Sequence, residues 1–377
     1  MKILSATMFA AAILGTPMVA NAENIVIGIS NPYTGPAAMA AEREKWGIDL
    51  AVKEINEKGG VLGEQIEVLP MDNRCNPSDA VNVANRLVEA KVVAIIGAHC
   101  STAGLATMPI IEEAGIPMVS GVASSPKITE LSGVGGNKWA FRINPSDQAM
   151  METLVGYLGE KSDFKKVAII AEDSDFGRGG ATSFEPLAKD AGIEILSTDF
   201  VPQQTPDFTP VLTRVAREKP DAIALFQLGG DQLNMLRNAM QLGLAIPYTG
   251  RAELGGENMQ IIEAGGMEGS VSAWSYSAEI HSELNDAFVK NIEADHDMKP
   301  VLQTWAGYDS VRIIAQAIEE AGSADPAAIR DALQNIKFTN VLGKEVTFDD
   351  HNQAGKVVVI QGVKDRAVDI LELADVK

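Results

Sequence analysis

The chain has little of what most catalytic and metal sites are made from. Among its 377 residues are four histidines, His99, His281, His296 and His351. None stands at metal-ligand spacing from another histidine or from a cysteine. There is no G-x-S-x-G elbow, and the glycine-rich Gly177-Arg178-Gly179-Gly180 follows Phe176 without a Walker lysine. Ser124-Ser125-Pro126-Lys127 fits S-x-x-K, the acyl-enzyme motif of penicillin-binding enzymes. Its K-T-G partner is missing, Ser146-Asp147-Gln148 only approximates S-D-N, and Pro126 sits inside the motif. With no catalytic constellation, a non-enzymatic binding role without a cofactor is expected.

Positive charge is also scarce. Lys and Arg number 31 against 51 Asp and Glu, a net charge of −20, which argues against phosphate-backbone partners and so against nucleic acid. No apolar run after residue 23 is long enough to span a bilayer. The run that exists, Ile3 to Gly15, follows Lys2 and precedes the A-x-A site Ala20-Asn21-Ala22, so residues 1–22 read as a cleaved secretory signal. Glu23 becomes the first mature residue. No cysteine follows the cleavage site, so a soluble periplasmic protein without a lipid anchor is expected. The two cysteines, Cys75 and Cys100, are either a disulfide, as an oxidising compartment favours, or two buried thiols. Closing that short loop would stabilise by about 3–4 kcal/mol in the chain-entropy model.

What the chain has is 46% hydrophobic residues and enough length for two lobes with cores. Its organising stretch is Val92 to Thr102. An apolar, β-branched run breaks at Gly97 and reaches Ser101-Thr102 just ahead of a helical pattern, Ala103 to Ala114. Free N–H groups and the positive end of a helix dipole meet there, which suits an anion. Ser101 at the N-cap either caps its helix or turns to a bound carboxylate.

Strands at 24–30, 65–72, 92–97 and 117–121 alternate with helices, with Asn76 capping one and Pro77 opening it. A second series runs from 166 to 276, a helical segment from 282 to 336, and strands at 344–348, 356–361 and 367–373 close the chain. This is an α/β fold of two doubly wound parallel-sheet lobes. A helical block followed by lone strands is no third domain, so three crossovers are expected, near 143, 274 and 348. Lobe one is then 23–143 plus 275–347, and lobe two 144–274 plus 348–377.

The chain resembles the periplasmic binding proteins of ABC transporters of the Leu/Ile/Val type. The marks are Asn31-Pro32-Tyr33-Thr34-Gly35-Pro36, Ile55 to Val61, Asp72-Asn73-Arg74-Cys75-Asn76-Pro77, Ile96 to Ser101, Glu112 to Pro117 and Gly230-Asp231-Gln232-Leu233. They cover nearly all of 24–375. The resemblance implies two hinged lobes closing on a ligand, and a disulfide joining Cys75 to Cys100. It further implies a carboxylate held by Ser101 and Ser124 with backbone groups near Val122 and Ala123. Phe176 stands where the family has a tyrosine, and Leu228 where it has an aromatic. Ala40 aligns with an aromatic of the first loop. The ammonium-binding acid aligns with Ala252, leaving Glu253 one place off and Asp231 near the cleft. The carboxylate half matches, while the ammonium and side-chain half departs. The expected solute is a small carboxylate, foremost an amino acid, passed to membrane permease subunits by a monomer. A non-amino carboxylate or amide, or a sensory role, is the alternative.

Overall fold

The computed structural model describes residues 24–355 and 357–375. The expected signal segment, 1–22, and Glu23 lie outside the described residues. Lobe one begins with β1 (Ile25–Asn31), α1 (Ala38–Glu57), β2 (Ile66–Asp72), α2 (Pro77–Glu89), β3 (Ala94–Gly97), α3 (Ser101–Ala114), β4 (Met118–Ser120), α4 (Pro126–Leu131) and β5 (Ala140–Arg142). Its strands form one parallel sheet in the order β2-β1-β3-β4-β5. β3 lies buried along its whole length, as a parallel-sheet interior strand must. Asn76 caps α2 by accepting from the N–H groups of Ser78 and Asp79, and Pro77 opens it.

The second series comprises α5 (Asp147–Lys161), β6 (Lys166–Glu172), α6 (Asp175–Asp190), β7 (Glu194–Val201), α7 (Thr209–Glu218), β8 (Ala222–Phe226), α8 (Gly229–Gln241), β9 (Tyr248–Gly250), α9 (Met259–Glu263) and β10 (Val271–Trp274). Here the parallel order is β7-β6-β8-β9. α6 lies tight on β8 because Gly180 faces the Phe226 ring, where a Cβ would meet it at 2.1 Å.

The segment read as one helical block is three helices, α10 (Glu283–His296), α11 (Leu302–Ala321) and α12 (Pro326–Asn335). Asp297 and Gly322 end the first two in left-handed conformations, and prolines at 300 and 326 prevent continuation. α11 packs on α1. The contact needs two glycines: a Cβ on Gly47 would lie 1.9 Å from the Thr304 carbonyl, and one on Gly307 2.2 Å from that of Glu44. The final strands are β11 (Phe338–Thr339), β12 (Glu345–Val346), β13 (Val357–Lys364) and β14 (Ala367–Asp375). These are not parallel: β11 pairs antiparallel with β12, and β13 lies antiparallel between β10 and β14. A two-residue connection between β13 and β14 leaves no room for a crossover helix.

The hydrophobic cores follow the chain's crossings. Trp305, Ile314 and Phe348 pack with Ile27, Ile29 and Ile96. Val358 and Ile360 pack instead with Val167, Ile169 and Phe226. Where the chain passes between cores, three segments bind one another. Ser275 donates to the Asn144 side chain at 2.6 Å, and Gln353 donates to the Asn144 carbonyl at 2.7 Å. Arg142, fully buried, donates to the Gln353 side chain at 2.6 Å and to the Ser125 carbonyl at 2.9 Å. Burial lowers its pKa to about 10, so it stays charged at neutral pH.

Candidate functional site

Between the lobes lies a cavity of about 50 Å³, lined from lobe one by Ala40, His99, Cys100, Ser101, Val122, Ala123, Ser124, Leu302 and Gln303. Lobe two contributes Phe176, Gln227, Leu228, Gln232, Arg251, Glu253 and Trp274. At roughly 10–15 Å³ per water it holds about four waters, so this shape is closed down. It adjoins a larger, mostly apolar chamber of about 390 Å³ that shares Glu253, Trp274 and Leu302 and adds Met259, Tyr276, Met298 and Val301. The lobes are latched beside the cavity. Arg43 pairs with Glu257 (Nε to Oε1 3.1 Å), Lys127 with Asp175 at 2.9 Å, and the Asp175 N–H donates to Thr102 Oγ1 at 3.2 Å. Lys127 thus takes a lobe-two carboxylate, and no hydrogen bond joins it to Ser124.

Cys75 and Cys100 form a disulfide with Cα atoms 5.5 Å apart. It ties the loop after β2 to the loop that opens α3, and Leu228 of lobe two packs against the apolar cluster around it. Ser101 is not the N-cap of α3. That position belongs to Cys100, whose side chain caps nothing, because α3 begins at Ser101, two residues ahead of the helical pattern read from Ala103. Ser101 Oγ instead accepts the N–H groups of Ser124 and Ser125 at 3.3 and 3.1 Å. Two donors on its lone pairs leave the hydroxyl proton to be given elsewhere. The first N–H groups of α3 stand beside it without intrahelical partners. The backbone groups expected near Val122 and Ala123 are partly engaged, since the Val122 carbonyl accepts from Asn144 at 2.8 Å and the Ser124 N–H donates to Ser101. Ser124 lines the cavity, but its hydroxyl donates to Asp147 at 3.0 Å.

Asp147, at the start of α5, is fully buried and paired with Arg251 at 2.5 Å. The Arg251 guanidinium lies 4.3 Å from the Trp274 ring centroid and 5.8 Å from that of Phe176. Its Nε is buried with no partner. Sequence reasoning missed Arg251, Asp147 and Trp274. Asp147 and Arg251 lie 104 positions apart, so no local motif could pair them.

The acidic candidates separate. Ala252 is wholly buried in the lobe-two core, where its carbonyl accepts from the Trp274 indole at 2.9 Å. Glu253 faces the cavity. Its backbone N–H donates to Gln232 at 2.7 Å, while no hydrogen-bond donor among the described residues reaches its carboxylate. Burial, then the nearby Glu257, push its pKa up to about 7 against the pull of Arg43 and Arg251. Asp231 is not among the cavity's lining residues; its carboxylate accepts from the Gln204 N–H at 2.8 Å and anchors that loop. Behind the cavity, Glu172 accepts the Leu228 N–H at 3.0 Å and is likewise pushed by burial to about 7. Among the described residues no cluster of His, Cys, Asp and Glu could hold a metal ion, and no helix is long and apolar enough to cross a membrane.

Comparison with known proteins gives this geometry its context. A family model described as periplasmic binding protein matches residues 24–367. The leucine-, isoleucine-, valine-, threonine- and alanine-binding protein of Pseudomonas aeruginosa is 28% identical over 332 residues, 87% of each chain. A Streptococcus pneumoniae branched-chain amino acid transporter substrate-binding protein, LivJ, solved with isoleucine, superposes with a TM-score of 0.82 at 25% identity, covering 94% of this chain and 100% of its own. A Rhodopseudomonas palustris solute-binding protein of an ABC transporter, solved with 3,4-dihydroxybenzoic acid, shares the fold with a TM-score of 0.84 at 24% identity, covering 94% and 98%. A match over nearly the whole described chain, to a fold whose two lobes enclose a cleft, means that this protein belongs to the periplasmic binding protein family.

Proposed function

We propose that this protein is the solute-binding component of an ABC importer, and that its solute is an amino acid held between the lobes. The observation that carries the reading is the pairing of opposite charges' partners across one cavity. Lobe one offers the Ser101 hydroxyl and the N-terminus of α3 to a carboxylate. Lobe two offers the unpaired Glu253 carboxylate to an ammonium. An α-amino acid carries both groups on one carbon and so bridges the lobes. Because each lobe supplies half the contacts, ligand binds the shut form better and shifts the population toward it. The closed protein, acting as a monomer, then delivers its solute to membrane permease subunits.

A second reading has its own observation. Phe176 and Trp274 wall the cavity around Arg251, whose Nε is unpartnered, and that arrangement suits a flat aromatic carboxylate. A thermal-shift screen of L-amino acids against aromatic and keto carboxylates and amides separates the two. Amino acids are expected to raise Tm. Stabilisation by benzoates alone, with every amino acid silent, would refute the amino-acid reading.

A further inference from the structure

Three cavity residues are left over once the carboxylate and ammonium have been assigned: His99, Gln227 and Gln303. All are at least nine-tenths buried, with exposures of 4%, 4% and 6%. Gln227 has no hydrogen-bond partner on either amide atom, and Gln303 has none on its carbonyl oxygen. His99 is oriented from behind. Its Nδ1 lies 2.7 Å from the carboxylate of Glu44, which is itself 1% exposed and held in place by the glycine-mediated crossing of α1 and α11. In the neutral imidazole a carboxylate on Nδ1 keeps the proton there and presents Nε2 as an acceptor, and Nε2 takes no protein partner among the described residues.

Beside the unpartnered Arg251 Nε, the cavity therefore presents acceptors at His99 Nε2, Gln227 Oε1 and Gln303 Oε1 and a donor at the Gln227 amide N–H group. A branched aliphatic side chain offers no hydrogen-bond partner to any of them. A site built from buried polar groups discriminates strongly against analogues that cannot complete its hydrogen bonds. Resting on the amino-acid reading above, we infer that the solute is an amino acid with an uncharged polar side chain, one that brings N–H or O–H donors and an acceptor, as a primary amide or a hydroxyl does.

The test is calorimetric titration of the intact protein with L-glutamine, L-asparagine, L-threonine, L-leucine and L-valine. At least one of the first three is expected to bind tenfold or more tighter than leucine and valine. His99→Leu and Gln227→Met should each weaken that polar ligand tenfold or more without weakening leucine, and His99→Gln, which keeps an acceptor, should recover part of the loss. Leucine or valine binding as tightly as all three polar amino acids would overturn the inference while leaving the amino-acid reading intact. An unchanged polar affinity in a folded His99→Leu variant would overturn it too. If neither variant folds, the ranking of the five ligands on the unmodified protein decides. Binding of none of the five, with an aromatic carboxylate bound instead, would remove the amino-acid reading and this inference with it.

Discussion

If Glu253 holds the solute's ammonium, affinity must follow the ionisation of its carboxyl group. That group is pushed up to about 7 because the cavity desolvates it and Glu257 stands nearby, with Arg43 and Arg251 pulling the other way. Only the carboxylate can pair with an ammonium. With a pKa near 7 the ionised fraction is about 0.9 at pH 8 and about 0.03 at pH 5.5, so the apparent dissociation constant should rise about 30-fold between them. Stability of the free protein should move the opposite way. A carboxyl whose folded pKa lies above its unfolded value contributes stability that is present below about 4.5 and lost as pH rises through about 7, and Glu172 adds to the same trend. Raising the pH should thus tighten binding while lowering the Tm of the free protein. The assay is calorimetric titration with the best amino acid at pH 5.5, 6.5 and 8, on the unmodified protein, Glu253→Gln and Asp231→Asn. Glu253→Gln should bind weakly and with a flat pH profile, whereas Asp231→Asn, altered at a loop anchor outside the cavity, should keep the pH dependence. Equal affinity at pH 5.5 and 8, or the same slope in Glu253→Gln, would refute the role of Glu253.

Two further outcomes test the carboxylate end and its support. Ser101→Ala removes a hydroxyl that can donate to a charged group, a bond worth about 1.5–3 kcal/mol, so affinity should fall roughly tenfold to a hundredfold. A loss of Tm with affinity unmoved would show instead that the hydroxyl only ties the loop at Ser124 and Ser125. Reduction and alkylation of Cys75 and Cys100 should be possible only after reductant, by intact-mass measurement, and should lower stability by about 3–4 kcal/mol in denaturant titration. Two thiols alkylated without reductant would contradict the bridge.

Much of the architecture was legible because the relevant signals are local. β-branched runs such as Ile25–Asn31 and Ala94–Gly97 read as interior strands, and the Asn76-Pro77 start of α2 carries its cap in adjacent residues. The antiparallel placing of β13 and β14 was not legible, because an apolar run does not reveal its partner's direction. Nor was the true cap of α3, which shifted Ser101 from helix capping to the loop at 124–125.

For the site, the strand–loop–helix pattern pointed to the Ser101 loop and the family resemblance to Ser124, Phe176 and Leu228, and all four line the cavity. Only tertiary structure decided among the acids. Ala252 and Glu253 are neighbours in sequence, yet one backbone step turns Ala252 into the lobe-two core and Glu253 toward the cavity. Asp231 was drawn off by an N–H group of Gln204, and Asp147 met Arg251 across 104 positions. Such choices depend on which polar group is desolvated and which partner the fold brings within hydrogen-bond reach, and neither is written in any local stretch of sequence.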